Sequence, residues 1–140
     1  MQKIIITLVL FISSSLFVVA QEQIHNLTVE ITGMKSNTGT VFVSLYNKNS
    51  SFLKNGYKET IAKISNKKAI VTFKNIPKGI YAISVFHDEN DNKKLDTRIF
   101  GIPKEPVGCS NGAVGHYGPP KYEDAKFNLD KDTTISVVVK

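Results

Sequence analysis

The chain carries a single cysteine, Cys109, in 140 residues. One thiol excludes an internal disulfide, so a packed core or a bound ion must hold the fold. A reactive thiol needs a nearby base or a positive environment, and no neighbour in sequence supplies one, so Cys109 reads as a small packed residue. The signatures of several enzyme classes are also missing. There is no G-x-S-x-G, and Ser110 beside Cys109 has no adjacent base in sequence. There is no H-E-x-x-H, no phosphate-cradling G-x-x-x-x-G-K-[ST] and no G-x-G-x-x-G opening a helix. No segment keeps a 3.6-residue apolar period. Clustered charge is scarce too: the formal net charge is +6, yet only Lys67-Lys68 and Lys93-Lys94 are adjacent lysines. Nucleic-acid proteins gather basic residues and aromatics on one face, so this class is set aside. Weak attraction to anionic envelope or glycan surfaces is compatible with the charge.

The first twenty residues read as a targeting segment. Lys3 is a short positive start, residues 4–17 are apolar apart from Thr7 and Ser13-Ser14-Ser15, and Val18-Val19-Ala20 precedes Gln21. That order is a signal peptide cut before Gln21. The alternative is a membrane anchor, but the stretch only matches the shortest spanning helices, roughly 17 residues, and ends without a basic stop. Cleavage predicts a secreted or periplasmic protein that meets the membrane only through this leader. No cysteine follows the cut, so a lipoprotein anchor is not expected. Loss of Lys3 brings the charge to +5 (17 − 12). Residues 21–140 then amount to one domain.

That remainder reads as all-β. Leu27, Val29 and Ile31 alternate with Thr28, Glu30 and Thr32, the pattern of a half-buried strand. Residues 40–46 form an apolar, β-branched run, and residues 80–87 form the strongest strand. Residues 60–65 and 69–73 flank Asn66-Lys67-Lys68 and predict a hairpin. Asn75-Ile76-Pro77-Lys78-Gly79 is turn chemistry. Residues 124–129 and 133–139 complete about seven strands, which predicts an antiparallel β-sandwich. Between them, residues 101–122 hold four prolines and five glycines among Ile102, Val107, Val114, Tyr117 and Tyr122. Disordered segments are poor in such apolar residues, so an ordered loop packed on one end of the sandwich is expected.

The acidic stretch after residue 87 carries the most specific chemistry. Asp88, Asn90, Asn92 and Asp96 occupy positions 1, 3, 5 and 9 of a calcium loop, and the backbone carbonyl of Lys94 stands at position 7. Ca²⁺ takes six to eight oxygens at about 2.3–2.6 Å, so these five need help, with Glu105 and Asn111 as the nearest side-chain candidates. Ile99 replaces the bidentate Glu of an EF-hand, which excludes that motif. Lys93 stands where a glycine usually turns the chain, a costly choice if φ is positive. With two carboxylates among lysines, weak binding on the order of 10⁻⁴–10⁻³ M is expected. A hydrogen-bonded acidic turn without any ion explains the same residues, because Asx side chains bond their own backbone.

Strand parity puts His87 on one face with Tyr81, Ile83 and Val85, the position of a core histidine. His116 sits in Gly115-His116-Tyr117-Gly118. If it approached His87 and Asp88, the trio would suit zinc or acid–base work, the basis of an alternative reading as a small metallo-hydrolase.

Taken together, four runs resemble a known family. They are Gly79-Ile-Tyr-Ala-Ile-Ser-Val-Phe-His-Asp-Glu-Asn-Asp-Asn-Lys-Lys-Leu-Asp96, Gly101-Ile-Pro-Lys-Glu-Pro-Val-Gly108, Ser110-Asn111 and Gly118-Pro-Pro-Lys-Tyr-Glu-Asp-Ala125. They resemble the secreted bacterial family catalogued as domain of unknown function 2141. The Ile76-Pro77-x-Gly79-x-Tyr81 corner is also similar to immunoglobulin-like and prealbumin-like sandwich modules. The family resemblance implies one exported β-sandwich domain and no particular activity. Members often read Asp-x-Asn-Gly-Asn-Gly-x-Leu-Asp in the loop; Asp91 and Lys93 replace those glycines here, and Cys109 stands where an aromatic is common. The expectation is an exported, non-enzymatic module with a calcium-binding-like loop, serving a protein or glycan partner at the cell envelope in a binding or structural role.

Overall fold

A computed structural model describes residues 21–140; the expected signal peptide, residues 1–20, lies outside the described residues. Eight strands follow in order: β1 (Ile24–Thr32), β2 (Thr40–Tyr46), β3 (Lys58–Lys63), β4 (Ala69–Pro77), β5 (Gly79–Asp88), β6 (Val107–Cys109), β7 (Phe127–Leu129) and β8 (Thr133–Val138). One helical turn, α1 (Tyr122–Ala125), precedes β7. Alternation along each strand decides what is buried. Leu27, Val29 and Ile31 are fully enclosed while Thr28, Glu30 and Thr32 face outward.

Two sheets result. One has the order β4-β1-β8; the other has β3-β2-β5-β6, with β7 pairing the start of β5. Their inward residues meet as one core. Leu27, Val29, Ile31, Val71, Phe73 and Val137 come from the first sheet, and Val41, Val43, Leu45, Ile83 and Val85 from the second. Burying a side chain of this size is worth about 1.5–3 kcal/mol, so these rows outweigh any single polar contact.

The sandwich expected from sequence is present, with four corrections. The strand pairs are antiparallel except one: β1 and β8 run parallel, Leu27 opposite Thr133 through Thr32 opposite Val138. The hairpin expected across residues 66–68 is a tight turn, with Ser65 and Lys68 exchanging both backbone bonds. Beyond it the strands part, β3 joining one sheet and β4 the other. Ala62 and Val71 both face the shared core, and a chain that buries both must cross between layers there. The strand expected over residues 124–129 is shortened to β7, because residues 122–125 wind into α1.

The fourth correction concerns residues 101–122. They do not sit at one end of the sandwich. They start beside the acidic loop, become β6 along Ser84–Phe86 of β5, and finish near the opposite end of β5. Ser110 pins this path. Its Oγ accepts the Ile83 N–H at 2.9 Å and donates to the Ala125 carbonyl at 2.6 Å. Gly108 lets β6 approach the C-terminal strand, since a Cβ there would stand 2.6 Å from the Val138 carbonyl oxygen. Val107 and Lys140 exchange backbone hydrogen bonds at 3.1 and 3.0 Å, tying the two sheets together along this edge. A smaller core of Tyr46, Phe52, Ala82, Cys109, Tyr122 and Ala125 lies beyond, with edge-on ring contacts at 5.1 and 5.7 Å.

Candidate functional site

The last residues of β5 set up the acidic loop. His87 points into the sandwich and is fully buried, as parity predicts. Its Nε2 lies 2.6 Å from the Thr38 carbonyl. A carbonyl only accepts, so Nε2 carries a proton. Nδ1 is buried, has no hydrogen-bond partner, and lies 4.0 Å from Glu89 Oε1.

Asp88 is the next residue and points the other way. It too is fully buried. Its Oδ1 accepts the Asn92 N–H at 3.2 Å and its Oδ2 accepts the Lys93 N–H at 2.7 Å. A buried carboxylate costs several kcal/mol unless it finds such donors, on the order of the penalties for buried ions. The loop folds around Asp88 for that reason. The local side chains continue the pattern. Asn90 Oδ1 accepts the Asn92 N–H at 3.1 Å, and Asn92 Oδ1 accepts the Lys94 N–H at 2.9 Å. These are side chains capping backbone two residues on, the habit of Asx residues in turns.

Two positions in the turn adopt left-handed backbone: Asp91 at φ 56° and Lys93 at φ 63°. They are the two positions where the sequence resemblance leads one to expect glycine. Asp91 gains something in return, since its Oδ1 accepts the Thr40 hydroxyl at 2.7 Å. Lys93 gains no comparable side-chain bond among the described residues. Gly39, at φ 81°, lets the neighbouring chain pass close; a Cβ there would lie 2.0 Å from the Asp88 carbonyl oxygen.

The side chains at positions 3, 5 and 9 come together. Asp96 receives the Asn90 amide at 2.7 Å and the Asn92 amide at 3.0 and 3.1 Å. Asp88 and Lys94 join the cluster through Asn92, whose backbone and side chain they share. Three amide contacts from neutral groups thus face one carboxylate. A cation is the other way to satisfy it. Each Asn oxygen and each Asp88 oxygen accepts one N–H and keeps a second lone pair, the kind of oxygen that a hard ion such as Ca²⁺ takes. Asp88, Asn90, Asn92, Lys94 and Asp96 would be the residues holding it.

Glu105 and Asn111, the two sequence candidates for completing a shell, go separate ways. Glu105 is buried against the loop. Its Oε1 accepts the Glu89 N–H at 3.0 Å and its Oε2 accepts the Asp96 N–H at 3.0 Å. Asn111 is remote, donating to the carbonyls of Asp124 and Lys126 at 3.3 and 2.8 Å. Thr38 and Thr40, which hold His87 and Asp91, carried no sequence signal, because only β-pairing brings the start of β2 beside the end of β5.

His116 is exposed, whereas His87 and Asp88 are enclosed. No hydrogen bond among the described residues joins His116 to either, and no group of three His, Cys, Asp or Glu side chains among them could hold a metal. Cys109 is buried, and burial pushes its thiol up to about 11, so it is protonated at neutral pH.

The second half of the loop also shapes the surface. Lys93, Lys94 and Leu95 lean toward the outer face of the β2–β5 pair and help wall a groove of about 280 Å³. Phe42 and Phe86 line it as a stacked pair, 4.7 Å between centroids and 6° between planes. Val43, Ser44, Glu59 and Thr60 complete the wall.

The sequence profile of one bacterial family, described as "Uncharacterized protein conserved in bacteria (DUF2141)", matches residues 29–136, and the chain belongs to that family. No curated protein and no solved structure matches the chain.

Proposed function

We propose that this family member is an exported, non-enzymatic module of the cell envelope. Its acidic loop takes up Ca²⁺ weakly and thereby orders a surface for a protein or glycan partner. The observation that carries the reading is the gathering of Asn90, Asn92 and Asp96 side chains within hydrogen-bond distance, above the buried carboxylate of Asp88. The ion would supply charge neutralisation, replacing amide hydrogens on Asp96. It would also steady the turn that brings Lys93 and Leu95 against the Phe42–Phe86 groove, so ion and partner would bind in support of each other.

Calorimetric titration of EDTA-treated protein tests the ion. A dissociation constant on the order of 10⁻⁴–10⁻³ M is expected. At ten times that constant, mass action stabilises the fold by about 1.4 kcal/mol, a measurable thermal shift. No heat and no shift at millimolar Ca²⁺ overturn the proposal and leave a hydrogen-bonded corner.

A further inference from the structure

We infer that residues 97–104 form a finger that docks on an anionic lipid surface, its apolar tip entering the headgroup layer and its basic flanks meeting the headgroups. The inference names a partner chemistry for the envelope reading above and rests on that reading only for where such a surface is met. It departs from the expectation that only the leader touches a membrane.

The finger is a contiguous exposed apolar group whose base is hydrogen-bonded to the acidic loop. Every residue from 97 to 104 is exposed. Ile99 is 78% exposed, Phe100 96% and Ile102 56%. Scattered single exposed hydrophobics need no explanation, but a contiguous group at a protruding tip marks an interaction site. Phe100 takes a left-handed backbone, φ 64°, ahead of Gly101 at φ 72°. A bulky residue rarely adopts that conformation, and such strain clusters at functional positions.

The base is fixed. Thr97 and Pro103 face each other as a β-bridge, the Lys104 N–H donates to the Asp96 carbonyl at 2.8 Å, and buried Glu105 holds the Asp96 N–H. At the tip, the Arg98 N–H donates to the Ile102 carbonyl at 2.7 Å and the Gly101 N–H to the Arg98 carbonyl at 3.1 Å. Backbone groups already paired within the finger lower the cost of leaving water.

Charge chooses between a bilayer and a pocket on another protein. Residues 97–104 contain Arg98 and Lys104 and no acidic residue, a net of +2 (2 − 0). Arg98 is the only arginine in the chain, and it flanks the tip directly. An apolar tip collared by cations complements an anionic bilayer, where apolar burial and basic attraction add.

The chain has no tryptophan, so Phe100→Trp makes a unique reporter at a solvent-exposed position that folding does not depend on. The full chain is mixed, in EDTA, with vesicles of phosphatidylglycerol and phosphatidylethanolamine, or of phosphatidylcholine alone. On the anionic vesicles the emission moves to the blue and acrylamide quenching falls; on phosphatidylcholine both change little. Adding Arg98→Glu with Lys104→Glu weakens the partition about tenfold or more. A separate reporter, Ile70→Trp, on the outer face of the opposite sheet, stays unchanged. Equal shifts in both reporters would mean adsorption through some other part of the chain and would overturn the inference. So would a Phe100→Trp signal that stays open to acrylamide on anionic vesicles, which would point to a protein pocket instead. EDTA keeps the outcome separate from the calcium titration, so either proposal can fail alone.

Discussion

Glu105 closes the acidic loop on Asp96. One buried carboxylate receives the Asp96 N–H through Oε2 and the Glu89 N–H through Oε1, both at 3.0 Å, so the two ends of the loop are clamped by a residue outside it. The loop, the finger beyond it and the start of β6 are joined at this point.

Replacing Glu105 tests the clamp. Glu105→Ala leaves two backbone N–H groups without their acceptor, and a loss of about 2 kcal/mol is expected, the low end of about 1–3 kcal/mol for each unsatisfied group, because both bonds are only part-buried. Glu105→Gln keeps one acceptor and turns an amide donor toward the other N–H, so it should also destabilise. Urea unfolding reads both; an unchanged midpoint for Glu105→Ala would show that the loop is held without it.

Lys93 is held at φ 63° with no side-chain bond among the described residues to offset the strain. Glycine adopts that conformation freely, so Lys93→Gly should stabilise the fold by about 0.5–1 kcal/mol. The Lys93 N–H to Asp88 bond is kept. Thermal unfolding should show a melting temperature raised by a few degrees; a lower one would contradict the strain argument. Asp91→Gly should not gain as much, because it also removes the bond from Thr40.

Ser110 is the pin between β5 and the turn at α1. Ser110→Ala removes the hydroxyl that serves the Ile83 N–H and the Ala125 carbonyl. A cost of about 2–3 kcal/mol is expected for buried partners left unpaired. Hydrogen exchange should also quicken at Ile83, and an unaltered exchange rate there would count against the role given to Ser110.

Alkaline pH should weaken the fold through Cys109. Burial raises its folded value to about 11, from a usual value near 9. The unfolded chain therefore loses this proton first. Stability is full below pH 9 and falls as pH rises from 9 to 11. Burial raises Tyr81 and Tyr122 as well, with the same sign above pH 10. Cys109→Ala should flatten the decline between pH 9 and 10, measured as urea midpoints against pH. At pH 8 the native thiol should react slowly with a disulfide reagent and quickly once unfolded.

The strands were legible because their signal is local. Leu27-Val29-Ile31 and the run through His87 follow a period of two, fixed by the pleat of each strand, so the inward face could be assigned without knowing the partner strand. The expected strand over residues 124–129 failed for a related reason: one turn of helix is too short to leave a period. The loop was legible in part. Asx residues bond backbone two positions away, so a turn at residues 88–96 and the strain at Lys93 could be anticipated from the order of residues. Which distant groups meet that turn could not.

The sequence by itself determined an all-β chain, the inward placement of His87 and a turn across residues 88–96, because pleat and Asx chemistry act over a few residues. Tertiary structure alone decided that Glu105 rather than Asn111 clamps the turn, that β8 returns parallel to β1, and that residues 101–122 run along the edge of β5 instead of capping one end. Those outcomes depend on which remote backbone donors and acceptors the folded core leaves unpaired and within reach. Only the assembled sheets fix that.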